Sequence, residues 1–104
     1  MENNKYQKFV IYKICQRNDN DMIYIGSSLN YKRRKAQHKK NVTNRSKKSY
    51  HYPLYQYIRN SGGWDNFDMT IYCEYPCKNK IEGLTKEKEI IELLKSPLNS
   101  IKPI

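Results

Sequence analysis

Glu87 stands in an apolar row. Leu84, Ile91 and Leu94 recur with it at helical spacing and Ile90 lies at the edge of the stripe, whereas Glu82, Glu89 and Glu92 point elsewhere. A carboxylate drawn into a core needs a cation, a strong set of hydrogen bonds or a raised pKa. A salt bridge to a nearby lysine would meet the same need without any chemistry. Upstream, Arg34 and His38 are four residues apart and share a helix face. They sit in a stretch from Met22 to Trp64 that holds Lys32, Arg33, Arg34, Lys35, Lys39, Lys40, Arg45, Lys47, Lys48 and Arg59 and no Asp or Glu. The chain carries 20 basic and 10 acidic residues, so its formal +10 resides in this one stretch. A one-signed field attracts a polyanion, and the interleaved rings of Tyr50, Tyr52, Tyr55 and Tyr57 can lie against sugars or bases. The same charge would also suit a solvated lysine-rich face, and it does not say that anything is cut.

The elements that must position these residues follow from periodicity and punctuation. Phe9 to Cys15 is aromatic and β-branched and reads as a strand. Asn18, Asp19, Asn20 and Asp21 supply a turn, and Met22 to Gly26 completes a hairpin. Asn30 caps a helix from about Tyr31 to Lys40, followed by a basic loop from Asn41 to Ser49. Pro53 opens a second helix with an apolar stripe of Leu54, Tyr57 and Ile58, and Gly62 ends it. Phe67, Met69, Ile71 and Cys73 alternate with polar residues as a half-buried strand does. Asn79 or Thr85 starts a last helix that runs to about Lys95, and Pro97 stops it. The expected class is α+β: a small three-stranded antiparallel sheet flanked by three helices, in the order ββααβα.

With 104 residues, the chain is expected to form a single domain, its core at about residues 9–99. No apolar run is long enough to span a membrane, and Met1 to Lys8 lacks the apolar centre of a signal peptide. Cys15, Cys73 and Cys77 are an odd set with no Cys-x-x-Cys, and the spacing of His38 and His51 fits no zinc pattern. Reduced thiols and a cytoplasmic or nuclear setting are expected.

Val10-Ile11-Tyr12 followed by Tyr24-Ile25-Gly26 brings a known pattern into view. With Arg34, His38, Glu87 and Asn99 at matching intervals, and Gly63-Trp64-Asp65-Asn66-Phe67 and Pro97 in place, the chain resembles the GIY-YIG nucleases from Phe9 to Asn99. One departure is that Val10 stands where the family has its leading glycine. The resemblance implies a DNA endonuclease that hydrolyses phosphodiester bonds with Mg²⁺ or Mn²⁺, one ion per active site. It implies Glu87 as the metal ligand, since a hard cation accepts one carboxylate and completes its shell with phosphate oxygens and water.

The resemblance also implies Tyr12 as general base, acting through Tyr24, His38 or nearby water, with surrounding cations and the metal favouring its charged form. Arg34 would grip the scissile phosphate and offset developing charge, while His38 would move a proton or orient a tyrosine. Gly26 would allow close backbone approach where strand turns toward helix, and Asn99 would be a structural hydrogen-bonding residue near the carboxylate. Lys32, Arg33, Lys35, Lys39, Lys40, Arg45, Lys47 and Lys48 are the candidate DNA contacts.

Duplex or branched DNA is the expected partner, with no membrane and a homodimer as one route to double-strand cleavage. Because Asn99 lies five residues from the end of this sequence, no separate recognition domain is expected. The alternative is a non-catalytic basic nucleic-acid-binding module, though the retained Glu87 and Arg34 favour the enzyme.

Overall fold

The computed structural model describes residues 4–101. The polar start at Met1 to Lys8 therefore lies partly outside the described residues. Three antiparallel strands form one sheet in the order β2-β1-β3: β1 (Val10–Gln16), β2 (Asp19–Ser28) and β3 (Phe67–Glu74). The helices are α1 (Tyr31–Thr43), α2 (Pro53–Asn60) and α3 (Lys80–Leu94), so the expected α+β class and element order are found. Among the described residues no helix is long and apolar enough to cross a membrane. The three cysteines are unpaired.

The central strand β1 is buried on both faces, and its alternating side chains feed two core clusters. Tyr12 and Ile14 join Val42, Leu54, Tyr55, Ile58, Phe67, Met69 and Leu98. Ile11 joins Phe9, Ile25, Cys77 and Ile90, bringing α3 to the other face. Val10 is itself buried and pairs with Ser28 and Glu74, so the residue that departs from the family pattern fills core space.

Four local expectations are corrected. The hairpin turn is only Arg17–Asn18. Asp19, Asn20 and Asp21 are exposed strand residues, because ladder hydrogen bonds can carry a hairpin tip beyond the core without burial. In α2 the buried stripe is Leu54, Tyr55 and Ile58. Tyr57 is half-buried and donates its hydroxyl to Gln16 Oε1 at 2.8 Å. The β1–β3 register shifts between Ile11 and Tyr12. That bulge turns Cys73 toward the α3 side, whereas Ile71 keeps the face of Tyr12 and Met69 and is exposed there at the sheet edge.

The last correction concerns α3, whose buried line runs through Gly83 and Ile90, with Ile91 and Leu94 half-buried and Leu84 40% exposed. A Cβ at Gly83 would come within 2.7 Å of the Phe9 ring, so the helix docks through its missing side chain. An interior glycine costs a helix about 1 kcal/mol relative to alanine, which the close approach to Phe9 offsets. Hydrophobic pattern cannot register a glycine as a contact, and the stripe read from leucines was rotated accordingly.

Candidate active site

Tyr12 and Gly26 face each other across the β1–β2 ladder. The Tyr12 ring lies over Gly26, and a methyl group at that position would overlap its Oη and Cζ. Gly26 is buried inside β2 and is not among the positive-φ glycines, Gly62 and Gly63. It leaves room for the Tyr12 phenol, a close approach made inside the strand before β2 ends at Ser28. Tyr24, which pairs with Ile14, places its ring centroid 6.5 Å from that of Tyr12.

Helix α1 supplies the next two groups. Asn30 caps it, its side chain accepting from Arg33 N, and the Tyr31 hydroxyl donates to Met69 O at 2.7 Å, pinning the first turn to β3. His38 faces inward and is 4% exposed, whereas Arg34, one turn earlier, is exposed. The Tyr12 hydroxyl and His38 Nε2 are hydrogen-bonded at 2.7 Å. On the other side, His38 Nδ1 and the Tyr55 hydroxyl are 2.8 Å apart, and Asn41 Nδ2 donates to the same oxygen at 3.3 Å. Trp64 lies nearly parallel to the His38 ring, 18° from coplanar. Gly62 and Gly63, both at positive φ, make the turn that delivers Trp64 after α2.

Glu87 is half-buried on α3, which packs against the edge strand β2. Burial raises its carboxyl pKa, with the Ser27 hydroxyl and Arg34 pulling the other way. Its charge bears on both Tyr12 and Tyr24. The two side-chain ion pairs among the described residues, Arg17–Asp68 and Lys86–Glu89, do not include it. The lysine salt bridge that would have explained Glu87 without chemistry is thus not formed.

Burial dominates the other ionisable groups. It raises the Tyr12 phenol well beyond its ordinary value, with Tyr24 adding to the rise and Arg34 opposing it. Among the chain's own groups, withdrawal from water outweighs the one exposed guanidinium, so Arg34 alone does not hold Tyr12 in its charged form. Burial, then Arg34, lowers the His38 pKa to about 4, so its imidazole is neutral at physiological pH.

No group of three or more His, Cys, Asp or Glu residues forms a metal cluster among the described residues. The donor set is a single half-buried carboxylate with hydroxyl and phenol neighbours. That fits a hard divalent ion that keeps most of its shell as water and substrate oxygen, and it does not fit a structural zinc site.

Asn99 lies beyond α3 and serves the edge of β2. Its Oδ1 accepts from Ile25 N at 2.8 Å and from Ser96 Oγ at 2.6 Å, and its Nδ2 donates to Ile25 O at 2.8 Å. The side-chain amide thus pairs with both backbone polar groups of Ile25 as a neighbouring strand would, between Tyr24 and Gly26.

Lys32, Arg33, Lys35, Lys39, Lys40, Arg45, Lys47 and Lys48 are all exposed. Arg59 differs: its guanidinium donates to Val42 O at 3.0 Å and stacks 3.6 Å from the centroid of Tyr50, tying the basic loop to α2. Arg34 lines two open clefts. One, of about 460 Å³, runs between α1 and the start of α3 and includes Ser27 and Lys80. The other, of about 540 Å³, lies between α1 and the basic loop and includes Asn41 and Lys47.

Sequence reasoning missed Tyr55 and Ser27. Tyr55 follows Leu54 and precedes Ile58 by three, so its spacing placed it on the buried face. Ser27, one residue after Gly26, carried no signal of its own.

The GIY-YIG catalytic domain model matches residues 8–102. No curated protein and no solved structure matches the chain. With that match spanning nearly all of its length, the chain belongs to the GIY-YIG catalytic domain family, a family of nucleases.

Proposed function

We propose that this chain is a divalent-metal-dependent DNA endonuclease. The observation that carries this reading is the junction of Tyr12, Tyr24, His38, Arg34 and Glu87 at one rim of the sheet, beside the exposed basic face of α1. Phosphodiester hydrolysis needs a water made nucleophilic, an offset for charge on phosphorus and relief of the leaving oxygen. Glu87 would hold a single Mg²⁺ or Mn²⁺, which when bound supplies charge neutralisation at the phosphate and its leaving oxygen.

Tyr12 accepts the proton of the attacking water while its own hydroxyl proton passes to His38 Nε2 along their 2.7 Å contact. A neutral imidazole is competent to accept; an imidazolium is not. This sequence avoids a free phenolate, which burial disfavours. Arg34, exposed and unpaired among the described residues, is placed to grip the phosphate and strengthen its hold as charge develops. Lys32, Arg33, Lys35, Lys39, Lys40, Arg45, Lys47 and Lys48 would dock the backbone without reading sequence.

The test is relaxation of supercoiled plasmid with Mg²⁺ or Mn²⁺, comparing wild type with Arg34→Ala and Glu87→Ala. Both variants should lose nicking by about 10²-fold or more while retaining most of their DNA affinity, since eight other exposed cations remain. A wild-type protein that binds DNA but nicks none of it with either metal would leave a binding module instead.

A further inference from the structure

Tyr55 closes the far side of His38 and has had no part in the mechanism so far. The contacts form one line: Tyr12 Oη to His38 Nε2 at 2.7 Å, then His38 Nδ1 to Tyr55 Oη at 2.8 Å. Asn41 Nδ2 donates to the Tyr55 oxygen, and Asn41 itself lines the open cleft between α1 and the basic loop. The line therefore runs from Tyr12 through the buried His38 and Tyr55 rings to the Tyr55 hydroxyl, one side chain short of an open cleft. The rings are held in place: Trp64 lies flat beside His38, and Tyr52 stacks on Tyr55 with an interplanar angle of 12°.

We propose that Tyr12, His38 and Tyr55 form a proton relay that carries the attacking water's proton to solvent, with Tyr55 as the positioning residue that fixes the His38 tautomer. The inference rests on the endonuclease reading above. The water oxygen bonds to phosphorus as the bond to the leaving ester oxygen breaks, and that oxygen takes a proton from solvent. The water proton passes to Tyr12 Oη, the Tyr12 proton to His38 Nε2, the His38 Nδ1 proton to Tyr55 Oη, and the Tyr55 proton to a water that enters beside Asn41 from the cleft. One proton enters the line and one leaves. For His38 Nε2 to accept, the resting proton must be on Nδ1, and the Tyr55 oxygen is the acceptor that holds it there. A second exit is needed because burial makes imidazolium a poor resting place for the proton.

A buried histidine with two satisfied nitrogens would show the same distances if it were merely packed, so the experiment must read the protons themselves. The full chain is labelled with ¹⁵N at histidine, and the His38 tautomer is read by NMR in wild type and Tyr55→Phe. Single-turnover plasmid nicking with Mg²⁺ is measured for both, and for Tyr72→Phe on the exposed face of β3, in mixtures of H₂O and D₂O. Wild-type His38 should be neutral with its proton on Nδ1, and Tyr55→Phe should show both tautomers. Nicking by Tyr55→Phe should fall roughly 10²-fold at unchanged DNA affinity, and its rate should respond to fewer transferred protons. Tyr72→Phe should nick as wild type does.

Two results would overturn the relay while leaving the nuclease standing: a wild-type His38 protonated on Nε2, or a Tyr55→Phe variant that nicks at the wild-type rate with the same isotope response. A wild type that never nicks would remove the endonuclease reading and the relay with it.

Discussion

Gly26→Ala adds one methyl group directly over the Tyr12 phenol, whose Oη and Cζ it would overlap and whose Cε1 it would meet at 2.9 Å. Carbon atoms in ordinary contact are 3.5–4.0 Å apart, so the ring must retreat by roughly 1 Å. His38 cannot follow easily, since Tyr55 and Trp64 hold it from two sides. The 2.7 Å Tyr12–His38 hydrogen bond would lengthen past useful range. Displacements of this size at reacting groups cost about 10²-fold in rate. Overpacking costs about 1–3 kcal/mol of stability, and relief of glycine's backbone entropy returns about 0.5–1 kcal/mol. The net is a loss of about 0–2.5 kcal/mol, so the variant should remain folded while nicking about a hundredfold slower. Single-turnover plasmid nicking, with a thermal melt to confirm folding at the assay temperature, reads both effects. A folded Gly26→Ala protein that nicks within threefold of wild type would show that the Tyr12 position is not what Gly26 protects.

Three further outcomes are expected. Because burial raises the Glu87 pKa above 4.5, its ionisation opposes folding, a penalty absent below that pH and developed once pH passes the raised value. Glu87→Gln should therefore melt above wild type at pH 7 without divalent metal, with the gap closing toward pH 4.5, and Mg²⁺ should raise the melting temperature of wild type alone. His38 has the opposite sign: with its pKa lowered from 6.5 to about 4, the folded state keeps it neutral. Wild type should lose roughly 3 kcal/mol between pH 6.5 and pH 4 relative to His38→Gln, measured by urea unfolding across that range, and equal slopes for the two proteins would refute it. Asn99→Ala leaves the Ile25 N–H and C=O without their side-chain partner. It should cost about 1–3 kcal/mol in thermal unfolding, and Asn99→Asp should restore at most the accepting half.

Strong punctuation and clean alternation made most of the fold legible. Asn30, Pro53 and Asn79 mark helix starts that the structure keeps, and β1, buried on both faces, was visible as a dense aromatic and β-branched run. The errors occur where a residue's use depends on its neighbour in space. Gly83 became a contact because the Phe9 ring faces it. Cys73 changed faces because a bulge falls between it and Ile71. Tyr55 rather than Tyr57 became buried because α1 presents His38 to it. At the site, the types and intervals of Tyr12, Tyr24, Arg34, His38 and Glu87 marked them as a set, but not how they touch.

Residue identity determined the positive field, the class of elements and the family membership, since formal charge, periodicity and motif spacing are properties of the chain before it folds. Tertiary structure alone decided that Tyr12 lies across Gly26, that His38 sits between two phenols, and that Glu87 has no lysine partner among the described residues. It also decided protonation: the same tyrosine and histidine in water would keep ordinary pKa values, and burial moves the first up and the second down. Desolvation is set by what surrounds a group in three dimensions, and no spacing along the chain encodes it.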